Sequence, residues 1–77
     1  MKAFVFITVE PNKVDKVAFA VKQTEEVKEV YAVTGEFDIL AKVEVTDFTT
    51  LSKIVKDKIL AIEGVIHTST SLAIEEY

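Results

Sequence analysis

The sequence predicts one small α+β domain whose elements follow in the order β-α-β-β-α-β. Three observations carry that expectation. Four stretches are rich in β-branched and aromatic residues, two others place apolar residues at helical spacing, and the breaks between them fall on Pro, Asn, Gly or Asp. With 77 residues the chain has no length for a second domain, so residues 1–77 are expected to form a single unit. A composition of 49% hydrophobic residues with two Gly and one Pro excludes a disordered or linker-like chain.

Residues 3–9, Ala-Phe-Val-Phe-Ile-Thr-Val, read as the first strand, which stops at Glu10-Pro11 because proline cannot donate to a ladder. Asn12 stands where a helix N-cap is expected, and Val14, Val17, Ala18 and Val21 follow the i, i+3, i+4, i+7 rule. Lys13, Lys16 and Lys22 fall largely off that apolar stripe. Residues 27–34 return to strand chemistry, Thr34-Gly35-Glu36 makes a hairpin connection in which Gly35 can take positive φ, and residues 37–45 form the next strand. Asp47 or Thr49 caps a second helix on which Phe48, Leu51, Val55, Ile59 and Ile62 keep near-helical spacing, while Lys53, Lys56 and Asp57 face water. Gly64 suits the turn that follows, and residues 65–74 make a last strand with a hydroxyl-rich middle. This is the split βαβ, or ferredoxin-like, arrangement: a four-stranded antiparallel sheet with both helices on one face. A faint internal echo agrees with it, since Val9-Glu10 precedes the first helix as Val43-Glu44 precedes the second.

On the first strand Phe4 and Phe6 point one way while Ala3, Val5, Ile7 and Val9 point the other. Two helices cover only one face of a sheet, so the aromatic face is left open. A patch of that kind is best buried against a second sheet, which predicts a homodimer joined through its sheet faces.

Charge and composition narrow the function. The net charge is −4 and all nine basic residues are lysine, which opposes direct contact with nucleic acid. No apolar run approaches bilayer length and the first residues do not resemble a signal peptide, so the expected location is the cytoplasm, off the membrane. With no Cys, no Arg and a single histidine, the chain cannot assemble a Ser-His-Asp or Cys-His arrangement. His67 therefore receives no catalytic or ligand role. The pairs Glu25-Glu26 and Glu75-Glu76 read as solvated charge, and Lys53, Lys56 and Lys58 as a wet helix face. The expectation is a protein without enzymatic activity, cofactor or metal.

More informative is Thr34-Gly35-Glu36-Phe37-Asp38 taken with Thr68-Ser69-Thr70-Ser71. A glycine turn can aim backbone N–H groups at an anion, hydroxyls add donors, and a carboxylate three residues after the glycine can receive an ammonium. Those are the two ends of an α-amino acid. Equally, Gly35 can be a hairpin glycine, Asp38 a turn acceptor and the Thr/Ser run strand filler.

At these residues the chain resembles a known family. Val33-Thr34-Gly35-Glu36-Phe37-Asp38-Ile39-Leu40-Ala41-Lys42-Val43, followed after an amphipathic helix by Ile62-Glu63-Gly64-Val65-Ile66-His67-Thr68-Ser69-Thr70-Ser71-Leu72, is similar to the effector-binding (RAM) domain of the Lrp/AsnC leucine-responsive and asparagine regulators. The resemblance spans essentially the whole chain. It implies a ferredoxin-like dimeric α+β barrel close to the ACT domains, dimers formed through the sheets, and further assembly into higher oligomers. It also implies that a small effector, usually an amino acid, binds where dimers meet. By that likeness Thr34, Gly35 and Asp38 belong to the ligand site, with Thr68, Thr70 and Ser71 as contributors. Full regulators of this kind carry an N-terminal helix-turn-helix domain, whereas this sequence opens at the first strand of the effector domain. The resemblance therefore implies a stand-alone module that senses an amino acid, co-assembles with full-length Lrp/AsnC regulators, or does both. Two alternatives stay open: a pure interaction module without ligand, and a small dimeric α+β-barrel enzyme using His67, Asp38 or a Tyr.

Overall fold

The computed structural model describes all 77 residues. Strands β1 (Lys2–Val9), β2 (Val27–Ala32), β3 (Ile39–Glu44) and β4 (Val65–Leu72) form one antiparallel sheet in the order β2-β3-β1-β4. Helices α1 (Val14–Lys22) and α2 (Phe48–Ile54) complete the β-α-β-β-α-β order, and a π-helical turn, Val55–Ile59, continues α2.

The core follows from strand alternation. Ala3, Val5, Ile7 and Val9 are buried, and the register sets them beside Ile39, Ala41 and Val43 of β3. Val17 and Val21 of α1, Leu51 and Ile54 of α2, and Ile59 close over that side. The π-helical turn has a packing reason. An α-helix continuing from Leu51 and Ile54 would turn position 58, a lysine, toward the core. The wider turn, closed by Leu60 N–H donating to Val55 O (2.8 Å), puts Ile59 there instead, and Lys58 reaches out to Glu26 (3.3 Å).

The architecture agrees with the sequence reading, with local corrections. Asn12 does not cap α1: it sits at φ 70, a left-handed conformation that Asn tolerates, and Lys13 occupies the N-cap position without a side-chain cap. Asp47, not Thr49, caps α2 by accepting from Thr50 N–H at 2.8 Å. Phe48 leaves the apolar stripe and is 59% exposed. Strand β3 starts at Ile39, because Phe37 and Asp38 complete the turn, and β4 ends at Leu72, leaving Ile74 in solvent.

Candidate functional site

The turn between β2 and β3 is built around Asp38. Strand β4 bulges opposite Thr8/Val9, where Thr8 pairs with His67 and Val9 with Val65, leaving Ile66 over. Val9 N–H instead donates to Asp38 Oδ2 at 2.9 Å. Asp38 also donates its own N–H to Ile7 O (3.0 Å) and accepts from Val33 N–H through its carbonyl (2.9 Å). One residue thus ties β1, the end of β2 and the start of β3 together. Asp38 is half-buried, and Oδ1 receives no protein donor. Beyond it Thr34 and Gly35 are exposed, Gly35 at φ 104 with nothing near the place a Cβ would occupy.

The six residues singled out from the sequence do not form one cluster within a chain. Thr34, Gly35 and Asp38 share the turn. Thr68 and Thr70 pair with Ile7 and Val5 and so lie on the helix side of the sheet, whereas Ser71 pairs with Phe4 on the open side. Thr70 borders a groove beside α2 and the π-helical turn.

The open side carries what the motif reading missed. The register sets Tyr31, Leu40, Phe6 and Ser69 in one row across the four strands, and Glu29, Lys42, Phe4 and Ser71 in the next. Phe37 packs on Phe6 with ring centroids 5.3 Å apart, next to the Asp38 turn. Phe4, Phe6 and Leu40 are only half-buried, and Tyr31 is half-exposed. The period-two rule that identified Phe4 and Phe6 on β1 applies equally to β2 and β3 and would have found Tyr31, Leu40, Glu29 and Lys42.

Between the aromatic side chains lies a polar knot. Tyr31 O–H donates to Glu29 Oε1, and Lys42 Nζ reaches Glu29 Oε2 at 3.1 Å. The phenol first and the ammonium second hold the Glu29 carboxyl below the ordinary glutamate range, and the same contact raises the Tyr31 phenol. A carboxylate with a depressed folded pKa stabilises the fold fully above its unfolded value, and that contribution is lost as pH falls through the folded one. Glu29 should therefore titrate below a free glutamate in a carbonyl-carbon NMR titration, and Tyr31→Phe should move its midpoint upward. An unchanged midpoint would mean the phenol does not engage it.

No group of three or more His, Cys, Asp or Glu side chains is placed to hold a metal ion, and no helix is long and apolar enough to cross a membrane.

This geometry has close parallels. A family model described as the Lrp/AsnC ligand binding domain matches residues 2–77. The crystal structure of TTHA0845 from Thermus thermophilus superposes with a TM-score of 0.94 at 39% identity, covering 99% of this chain and 95% of that one. The transcriptional regulator NMB0573 from Neisseria meningitidis, solved as an L-Met complex, gives a TM-score of 0.86 at 30% identity, covering 97% of this chain and 50% of that one. The leucine-responsive regulatory protein of Escherichia coli (strain K12) is 34% identical over 66 residues, which are 86% of this chain and 40% of that protein. The chain thus spans well under two thirds of the length of that regulator. With the family model matching residues 2–77 and the regulator 34% identical over 66 residues, the assignment is plain: the chain belongs to the Lrp/AsnC ligand-binding domain family.

Proposed function

We propose that this chain is a non-enzymatic sensing module of the cytoplasm that binds an α-amino acid at the Asp38 turn, self-associates through its open sheet face, and modulates full-length Lrp/AsnC regulators. The observation that carries the ligand reading is the division of labour within the Asp38 carboxylate. Oδ2 is held by Val9 N–H while Oδ1 of the same half-buried residue receives no protein donor. A fixed carboxylate with one free oxygen suits an ammonium, and the exposed Gly35 turn and Thr34 hydroxyl can meet a carboxylate without an arginine. The L-Met complex of NMB0573 supports the ligand class. Because Thr68 and Thr70 lie on a different face from Ser71, all six residues contribute to one site only if a neighbouring subunit supplies some of them. Binding would then shift assembly by its differential affinity for the two states.

Calorimetry with the twenty amino acids tests this reading, and uniform silence would end it. Asp38→Asn keeps an acceptor for Val9 N–H, so folding should be nearly unchanged while affinity for the hit falls roughly tenfold or more, the scale of a lost charge-assisted hydrogen bond. Asp38→Ala should also lose about 1–3 kcal/mol of stability, because Val9 N–H is left unpaired at the bulge.

A second reading has its own observation. Asp38 is fully explained as the clamp on the Thr8/Val9 bulge, which favours an interaction module that pairs with regulators and binds no effector. Co-purification with a full-length regulator that is indifferent to every amino acid and to Asp38→Asn would support it.

A further inference from the structure

The groove between α2, the π-helical turn and β4 has a volume of about 370 Å³, within the range of sites that bury small molecules. Its lining follows the helix. Phe48, Ser52, Lys56 and Leu60 recur every fourth residue along one exposed ridge, apolar at both ends and polar in the middle. Leu51, buried, and Val55, half-buried, make the floor.

The far wall is Thr70 of β4. Ala73 N–H donates to Lys2 O (3.0 Å), so Ser71 and Ser69, at the same parity, also turn their backbone groups toward β1. Thr70 N–H points the other way, and because β4 is an edge strand no neighbouring strand receives it. The groove therefore brings together donors: the Lys56 ammonium, the Ser52 and Thr70 hydroxyls and the Thr70 N–H. No Asp or Glu borders it. The ammonium is also uncommitted, since Lys2, Lys16, Lys42 and Lys58 each pair with a carboxylate and Lys56 does not. Donors at the middle of an apolar channel complement an anion joined to an apolar body. An ammonium finds no acceptor carboxylate there, so a free amino acid suits the Asp38 turn and not this groove.

We propose that the groove between α2 and β4 binds an apolar monocarboxylate, its carboxylate against Lys56, Ser52 and Thr70 and its hydrocarbon on Leu51 and Val55. Medium-chain fatty acids and the 2-oxo acids left when apolar amino acids lose their amino group share this chemistry. The site is independent of the Asp38 turn. It lies on the helix side of the sheet, so pairing of two copies through the open face leaves it accessible.

Amide NMR titrations of the unmodified protein with octanoate and with 4-methyl-2-oxopentanoate test the proposal. Saturable shifts are expected along residues 48–60 and at Thr70, and the tighter of the two acids identifies which source the groove suits. Lengthening hexanoate to octanoate should tighten binding roughly four- to sixteenfold, the scale of two methylenes half to fully buried. Lys56→Gln and Leu60→Ser, both at exposed positions, should each weaken octanoate several-fold without unfolding the chain. Octan-1-ol, which has the same hydrocarbon and no charge, should bind several-fold more weakly than octanoate, and leucine should leave the groove resonances in place. The proposal is overturned if neither acid gives a saturable shift, or if the shifts fall on Phe6 and Leu40 of the open face. An alcohol that binds as tightly as the acid, or leucine that moves the groove resonances, also overturns it. The Asp38 reading stands or falls separately, on the amino-acid calorimetry.

Discussion

Gly64→Ala should lower the unfolding free energy by about 2–4 kcal/mol, a large share of the ~4–12 kcal/mol available to a domain of this size. Two costs combine. Gly64 sits at φ 105, where an L side chain is strained by about 1–2 kcal/mol. The added Cβ would also lie 3.0 Å from Val17 Cγ2 and 3.3 Å from Lys13 Cβ. Val17 is fully buried in the core, so it has little freedom to retreat, and the close approach would push α1 away from the turn before β4. That turn is anchored across the same junction, where Glu10 N–H donates to Gly64 O at 2.8 Å. The internal control is Gly35→Ala. Its φ of 104 is nearly the same, yet nothing lies within 4 Å of the new Cβ, so only the torsional cost remains. Thermal denaturation should show the Gly64 variant melting roughly 10–20 °C below the unmodified protein, and the Gly35 variant well above the Gly64 one. Equal shifts for the two would mean that packing against Val17 contributes nothing.

Gly64 also shows what the sequence carries and what it does not. A glycine after an amphipathic run predicts a turn, and the turn is there, but its contact with Val17 depends on where α1 packs, which no local pattern contains. The same division runs through the fold. Alternation on residues 3–9 predicted both the buried set and the placement of Phe4 and Phe6 on the other face, because a strand's two faces follow from its period alone. The π-helical turn was not legible: Val55 and Ile59 satisfy α spacing, and only the competition between Lys58 and Ile59 for the core reveals the wider turn. Asn12 carried a capping residue's chemistry but was used for its tolerance of positive φ. At the candidate site, the motif pointed to Asp38 without indicating its attachment. The bond to Val9 N–H forms where the pairing of β1 with β4 shifts register, and such a shift is a property of two strands together. Parity did separate Thr68 and Thr70 from Ser71. Reading the hydroxyl run as one unit overlooked that neighbours along a strand face opposite ways.

If the copies join through the open sheet face as proposed, Phe6→Lys should convert the protein to monomers at micromolar concentration while leaving the fold intact. Phe6 lies on the helix-free side of the sheet, opposite Leu40 on β3 and Ser69 on β4 and stacked on Phe37. Within one chain the substitution removes the aromatic contact and little else, about 0.5–1.5 kcal/mol, because a lysine there extends into water. In a dimer joined through this face it acts twice, once from each copy, and sets an ammonium against the apolar side chains of the row. Glu29, the acid facing this surface in the adjacent row, is already held by Lys42 and Tyr31. Loss of a central aromatic anchor costs about 2 kcal/mol or more per copy, so the pair of substitutions should weaken association by roughly a thousandfold or more. Phe19→Lys is the matched control. Phe19 is 70% exposed on α1, on the opposite layer of the domain, so the same chemical change there should leave the sedimentation coefficient untouched. If Phe6→Lys still sediments as the unmodified protein does, the open face does not join the copies. If Phe19→Lys dissociates it instead, assembly runs through the helices and the aromatic row must be explained another way.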